Sequence, residues 1–390
     1  MCSGFNQWEY TEYTTQLRGK KHINCNRSFL LKKLARYLLN NIDMKAKVKI
    51  KRKDDYMNRK PILGILLGDG AGVGAEIIAK LAASGFYEEY CRPVVIGDVR
   101  IFERGADVCG LEIPIQVIGK MEDADWNQGI PVLDQKDLDP QEVPYGQIHI
   151  KSGQACLDML RTAIGLYLEE KIDGFCFAPL NKQAMIKAGC PFESEHHYMA
   201  HLFNHTEPFG EINVLGDLWT TRTTSHIPIS QVSESLTLDT IMRAIRLANV
   251  SLKNSGIEKP RLALAALNPH CGEGGKCGRE EIDVIAPAIE KAREMGIDAN
   301  GPFPSDILFI KAFNGDFDGV VTMYHDQGQI ALKLKGFDQG ITIAGGLPAP
   351  IVTCAHGTAY DIAGKGIVKT SAFENAVKMA AKMAAHLKGC

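Results

Sequence analysis

Three histidines occupy positions from which they could share one metal ion. His226, His270 and His325 each lie where an apolar or irregular stretch gives way to a polar loop. Open α/β sheets bind ligands beyond the carboxyl ends of their strands. Three neutral imidazoles with an open position suit a catalytic divalent metal. A single histidine is more often a hydrogen-bonded structural residue, and only convergence in space would make these three a metal site.

The stretch 324–333 is the most informative of these loops. It reads Tyr-His-Asp-Gln-Gly-Gln-Ile-Ala-Leu-Lys and follows the apolar run 320–323. It therefore sets Asp326 and Lys333 close to His325. An imidazole, a carboxylate and an ammonium group just after a buried strand indicate an active site.

Two further motifs suggest ligand loops. The glycine cluster 68–74 follows the strand-like run 62–67 and precedes a helix. Such a loop can hold an anion on its backbone N–H groups, although a tight structural turn explains it equally well. In the second motif, His356, Gly357, Thr358 and Asp361 combine backbone donors with a carboxylate that could accept hydrogen bonds from a ribose. The alternative is a capped turn.

These motifs are spaced along an alternating pattern of strands and helices. Such alternation predicts an α/β fold with a doubly wound, mostly parallel sheet, and Ser371 with Glu374 predicts a capping box at the last helix. The predicted strands are 62–67, 94–96, 174–177, 212–215, 262–267, 319–323 and 341–344. The predicted helices are 75–83, 155–168, 236–252, 280–295 and 371–387.

Composition limits the class of protein. The chain has 390 residues, is 45% hydrophobic and carries a net charge of -2, which argues against a nucleic-acid partner. No apolar run reaches the roughly 20 residues that span a bilayer, so we expect a cytoplasmic protein without a membrane partner. The 11 cysteines show no C-x-x-C pair and are expected to be reduced thiols.

The first 58 residues differ in composition from the rest and include a basic run from Lys45 to Lys53. We expect residues 1–58 to be a disordered or appended extension. The catalytic region is then 59–390. We expect it to form two lobes, one from about 59–190 with 340–390 and the other from about 191–339.

Taken together, the motifs resemble the 4-hydroxythreonine-4-phosphate dehydrogenase family, the PdxA-type enzymes of pyridoxal phosphate synthesis. The resemblance runs from about Lys60 to the C-terminus and leaves the first 58 residues unexplained. It rests on segments that occur in order at 68–76, 179–182, 267–274, 300–302, 324–328 and 356–359.

The resemblance implies a two-lobed, isopropylmalate dehydrogenase-like fold and a homodimer with active sites at the subunit interface. It also implies that His226, His270 and His325 bind a divalent metal, which could be zinc, cobalt, manganese or magnesium. The reaction would be the oxidation of a hydroxy acid by NAD or NADP, with decarboxylation of a β-keto acid as a further step. Asp326 and Lys333 are then the expected catalytic groups. The segment with His356, Gly357, Thr358 and Asp361 would bind the cofactor.

The expected substrate site departs from the family pattern. Glu195 and His196 stand where the family has a His-Thr pair, Thr342 replaces an asparagine, and Ile351 replaces an arginine. Lys333 is retained, and Lys182 belongs to the matching Pro-Leu-Asn-Lys segment. Losing a guanidinium and gaining a carboxylate weakens a phosphate site. We therefore predict that 4-phosphohydroxy-L-threonine is not the preferred substrate and that an unphosphorylated diol or dihydrodiol carboxylic acid is an alternative.

Two rival functions remain at this point. An isopropylmalate- or isocitrate-type dehydrogenase would hold its metal through aspartates, so the histidine set argues against it. A non-catalytic metal- or nucleotide-binding protein of the same fold is the alternative from another class. The joint presence of His226, His270, His325, Asp326 and Lys333 argues against that function, because an idle site has no physical need for all five residues.

Overall fold

The computed structural model describes residues 59–336 and 338–388 of the chain. Within them, twelve strands form one sheet. In chain order, β1 to β12 are Ile62–Leu66, Arg92–Gly97, Ile115–Ile118, Ile130–Asp134, Gly174–Phe177, Gly210–Leu215, Leu218–Arg222, Arg261–Ala265, Asp298–Phe303, Gly319–Thr322, Ile341–Gly345 and Ile351–Cys354.

Helices alternate with these strands along the chain. In chain order, α1 to α12 are Gly74–Ala83, Phe86–Tyr90, Val99–Val108, Ile150–Leu168, Lys182–Lys187, Glu195–Leu202, Val232–Ser235, Leu238–Asn254, Ala286–Glu294, Ser305–Phe313, His325–Gly336 and Ser371–Lys388. A short π-helical segment, Glu281–Ile285, leads into α9.

The sheet contains two parallel groups that run in opposite directions, with β11 and β6 between them, each antiparallel to both of its neighbours. The strand order is β3-β4-β2-β1-β5-β12-β11-β6-β7-β10-β8-β9. Every neighbouring pair is parallel except β12–β11, β11–β6 and β6–β7. Central strands such as β1 are apolar on both faces, and Leu63 and Ile65 are fully buried. Burial on both faces is expected for parallel strands covered by helices.

The predicted fold class is confirmed, since the sheet is mostly parallel and helices connect its strands. All seven predicted strands and all five predicted helices are present, with ends that differ by a few residues. The predicted capping box is wrong, because the Glu374 backbone N–H donates to the carbonyl oxygen of Thr370 at 2.9 Å rather than to the Ser371 hydroxyl. The Ser371 hydroxyl donates instead to the carbonyl oxygen of Asp338.

The described residues belong to one compact unit, Asn58–Cys390. The two predicted lobes correspond to contiguous halves of its sheet, β3 to β11 and β6 to β9 in spatial order. Their separation into two lobes stays a prediction. The expected extension at 1–58 lies outside the described residues. No helix in the described part of the chain is long and apolar enough to cross a membrane.

Candidate active site

The sheet brings two of the three predicted histidines together. His226 follows β7 and His325 opens α11 directly after β10, and these two strands are parallel neighbours. Their carboxyl ends therefore meet at one place, and the two imidazole rings lie 5.7 Å apart. The backbone N–H groups of Thr223 and Thr224 donate to the carbonyl oxygens of Thr322, the last residue of β10, and of Met323, which fixes the loop that carries His226.

The surroundings of the two rings favour metal ligation. Burial, together with the nearby cations Arg222 and Lys182, lowers the pKa of His226, which favours the neutral imidazole that metal ligation requires. Nδ1 of His325 lies 2.7 Å from Oδ1 of Asp326. A carboxylate at one ring nitrogen orients the other nitrogen toward a metal.

A cavity of about 200 Å³ lies beside this pair. Its lining combines both imidazoles with ammonium, guanidinium, carboxylate and amide groups. The polar residues that line it are Lys182, Glu211, Asn213, Arg222, His226, His325, Gln329 and Lys333. A small, polar cavity with neighbouring imidazoles and an available ammonium group can hold a hydroxy acid.

A second cavity, of about 580 Å³, adjoins the first. The two share Lys182, Glu211, Arg222 and His226. The larger one is also lined by His196 and Arg243. The Glu211–Arg222 pair therefore forms part of the wall between the two cavities.

His270 lies elsewhere in the single chain. It is exposed on the turn Pro269–Gly275, and it lines neither cavity. Its backbone φ is 51°, in the left-handed region that a non-glycine residue rarely adopts. Among residues 59–336 and 338–388, no three His, Cys, Asp or Glu side chains converge closely enough to hold a metal. Two nitrogen donors fit a cation here, and the three-histidine set stays a prediction.

The other predicted site residues divide into two groups. Lys182 lines both cavities, Lys333 the smaller and His196 the larger. Asp326, Glu195 and Thr342 line neither. Asp326 contacts His325, and Thr342 accepts a hydrogen bond from the Asn213 amide at 3.1 Å. Glu195 has one carboxylate oxygen 3.5 Å from the Lys182 ammonium group, so it acts on the cavity through that lysine.

The predicted cofactor segment follows β12 and packs against the glycine-rich loop. The carbonyl oxygen of Thr358 accepts a hydrogen bond from Val73 at 3.2 Å. It also lies 2.9 Å from where a Cβ on Gly72 would be, so a side chain there would displace the segment. His356 Nδ1 contacts the carbonyl oxygen of Gly357 at 2.9 Å, while Asp361 is exposed. Cofactor binding by His356, Gly357, Thr358 and Asp361 stays a prediction.

Residues 89–380 match the family model described as "Pyridoxal phosphate biosynthetic protein PdxA". The chain belongs to the PdxA family. It is 36% identical over 331 residues to the D-threonate 4-phosphate dehydrogenase of Cupriavidus necator, which covers 85% of this chain and 98% of that protein.

Solved structures of the PdxA family have the same fold. The crystal structure of a 4-hydroxythreonine-4-phosphate dehydrogenase from Burkholderia phymatum matches with a TM-score of 0.72 and 37% identity, over 84% of this chain and 99% of that one. A terephthalate 1,2-cis-dihydrodiol dehydrogenase from Burkholderia xenovorans matches with a TM-score of 0.58 and 27% identity, over 83% and 98% of the two chains. The prediction of an oxidoreductase acting on a hydroxyl group is therefore confirmed, and a dehydrogenase implies a nicotinamide cofactor.

Sequence reasoning did not single out Glu211, Asn213, Arg222 or Gln329. The available signal was a hairpin, because β6 and β7 are joined by only Gly216 and Asp217. A two-residue loop of this kind indicates paired antiparallel strands. Its register would have set Glu211 close to Arg222.

Proposed function

We propose that this protein is a divalent-metal-dependent dehydrogenase that oxidises the secondary hydroxyl of a small hydroxy acid with NAD or NADP. The observation that carries the proposal is the pair His226–His325, 5.7 Å apart beside Lys333 in one cavity. A cation held there would lower the pKa of a substrate hydroxyl.

The residues of the chain then have distinct parts in the reaction. The substrate carbon loses a hydride to the oxidised nicotinamide and the hydroxyl releases a proton to solvent, so a ketone and a reduced nicotinamide form. Lys333 binds the substrate carboxylate. Asp326 holds the His325 ring through its 2.7 Å contact. If the new carbonyl is β to the carboxylate, the product can also lose carbon dioxide.

We also propose that the active site is completed by a second copy of the chain. This is supported by the exposure of His270 and by the lining of the smaller cavity, to which the described residues contribute only two imidazoles, His226 and His325. In a homodimer, His270 of the second copy would supply the third nitrogen donor.

A second candidate function is the oxidation of an unphosphorylated diol or dihydrodiol carboxylic acid. Ile351 is fully buried in β12 and supplies no cation to the cavity. The relative from Burkholderia xenovorans, named for a dihydrodiol, supports this candidate.

Initial-rate assays of the full chain test the proposal. The reduction of NAD and NADP would be followed with zinc, cobalt, manganese or magnesium, and with phosphorylated and unphosphorylated hydroxy acids. We expect His226→Ala and His325→Ala each to lower kcat/KM at least about 100-fold, because each removes a metal ligand. His386→Ala, an exposed histidine in α12, is the matched control and should keep the wild-type rate. Nucleotide or metal binding without turnover of any acid would favour the non-catalytic alternative.

A further inference from the structure

Each of the three side-chain nitrogens of Arg222 donates a hydrogen bond to a different residue of the protein. Its Nη2 donates to Glu211 Oε2 at 2.6 Å, its Nη1 to Asn213 Oδ1 at 3.0 Å and its Nε to Ser225 Oγ at 3.0 Å. Its side chain is only 7% exposed. The positive charge of Arg222 is therefore already compensated within the protein, by the carboxylate of Glu211.

The partners of Arg222 are themselves fixed by further hydrogen bonds. The Asn213 amide nitrogen donates to Glu211 Oε1 at 2.8 Å and to Thr342 Oγ1 at 3.1 Å. Its oxygen accepts a second hydrogen bond, from Gln329 Nε2, at 2.6 Å. Burial acts to raise the pKa of Glu211, but Arg222 and Asn213 outweigh it and hold this pKa at about 2. Glu211 is thus a permanent, oriented carboxylate in the cavity wall.

Of the three cationic side chains that line the smaller cavity, one has no carboxylate partner among the described residues. Its lining includes the cations Lys182, Arg222 and Lys333. Glu211 compensates Arg222, and Glu195 lies 3.5 Å from Lys182. Among the residues that the structure describes, Lys333 has no ion-pair partner. One ammonium group matches the single charge of a carboxylate and leaves the additional charge of a phosphate group without a partner.

We propose that Glu211 is a specificity-determining residue that accepts a hydrogen bond from a substrate hydroxyl or ammonium group and disfavours a phosphate group in the same cavity. The inference rests on the proposed function and narrows its substrate class to hydroxy acids that carry a carboxylate and no phosphate. Glu195 contributes to the same preference, because it pairs with the Lys182 ammonium group and so weakens the attraction of that group for a phosphate.

Calorimetric titration of two matched ligands tests this inference. The ligands are 4-hydroxy-L-threonine and 4-phosphohydroxy-L-threonine, which differ only in the phosphate group. We expect the full-length protein to bind the unphosphorylated acid more tightly. Glu211→Gln keeps the shape of the side chain but removes its charge. It should shift the ratio of the two affinities at least about tenfold toward the phosphorylated acid. The reason is that Glu211 would no longer compensate the positive charge of Arg222, which would then attract the phosphate group.

Two further variants keep the test decisive. Glu195→Gln releases Lys182 and should shift the ratio in the same direction, even if Glu211→Gln folds poorly. Glu207→Gln changes an exposed glutamate that lines neither cavity and should leave the ratio unchanged. Wild-type preference for the phosphorylated acid, or an unchanged ratio in a folded Glu211→Gln protein, would overturn the inference, as would an unchanged ratio in Glu195→Gln if Glu211→Gln does not fold. Because binding is measured without turnover, failure of the proposed dehydrogenase reaction is a separate outcome.

Discussion

At the scale of single residues, the carboxyl group of Asp69 connects three distant parts of the chain. It is 1% exposed, and its Oδ1 accepts from the Ala71 backbone at 3.0 Å and from the Ser152 hydroxyl. Its Oδ2 accepts from the Tyr360 hydroxyl, which in turn accepts from the Asn181 amide at 3.0 Å. Burial and the hydrogen bond to Asp69 raise the pKa of Tyr360, so this group remains a donor. The predicted cofactor segment is thereby held next to Lys182.

Tyr360→Phe should destabilise the protein by about 1–3 kcal/mol, because it leaves a buried carboxyl oxygen without its donor. Urea unfolding measures the difference. Tyr167→Phe is the matched control: it removes a hydroxyl that donates to the carbonyl oxygen of Pro348, a hydrogen bond in an exposed position. We expect that control to change the free energy of unfolding by less than about 0.5 kcal/mol. Equal effects of the two variants would show that Asp69 does not depend on Tyr360.

At the scale of elements, the position of α5 depends on a glycine in α4. A Cβ on Gly153 would lie 2.1 Å from the carbonyl oxygen of Ala184, so the two helices approach each other backbone to backbone. Asn181 caps α5 by accepting a hydrogen bond from Ala184 N at 2.9 Å. Lys182 is the first residue of that helix. The close approach of the two helices therefore sets where Lys182 enters both cavities.

Gly153→Ala should destabilise the protein by about 1–3 kcal/mol, because overpacking against backbone outweighs the gain in helix propensity. Gly165→Ala in the same helix is the matched control, since no atom of the described part of the chain, apart from the backbone of its own helix, lies within 4 Å of its Cβ position. It should be neutral or stabilise by up to about 1 kcal/mol. Both values come from urea unfolding. If both substitutions changed the free energy of unfolding in the same direction, the close contact between α4 and α5 would not be rigid.

At the scale of the whole molecule, the loops beyond the sheet separate the proposed ligands into two sets. β7, β10 and β8 are consecutive neighbours, yet of the three histidines only His226 and His325, which follow β7 and β10, line the smaller cavity. His270 is exposed on its strained turn. This arrangement is the reason for proposing that a second copy supplies His270.

Mixing two inactive variants tests the proposed assembly. If His270 acts in the second copy, then denaturing and refolding His226→Ala together with His270→Ala should restore about a quarter of wild-type activity, since half of the dimers are mixed and each has one intact site. Mixing His226→Ala with His325→Ala should restore none, because both ligands belong to the same copy. The same dehydrogenase assay measures both mixtures. No recovery in the first mixture would place His270 in its own chain's site or outside the metal site altogether.

Much of the fold could be predicted from the sequence because local patterns determine it. Strands such as 62–66 and 174–177 are apolar on both faces and alternate with amphipathic helices, which specifies a parallel α/β sheet whatever its detailed packing. The strands β3, β4, β7, β9 and β12 are not among the predicted strands. β9, Asp298–Phe303, contains glycine and proline, and its burial pattern is mostly intermediate. Such a strand lacks the regular pattern of apolar residues by which a strand is recognised in a sequence.

The sequence by itself determined which chemical groups are available: the three histidines, Asp326, Lys333 and the glycine-rich loop. Only the tertiary structure decided which of them meet. The Asp69–Tyr360 contact spans 291 positions, and the Asn213–Gln329 contact spans 116. Strand order sets such contacts, and local propensity carries no information about it. The tertiary structure also decides the charges of the candidate site. Lys182 and Arg222 are compensated because packing places the carboxylates of Glu195 and Glu211 beside them.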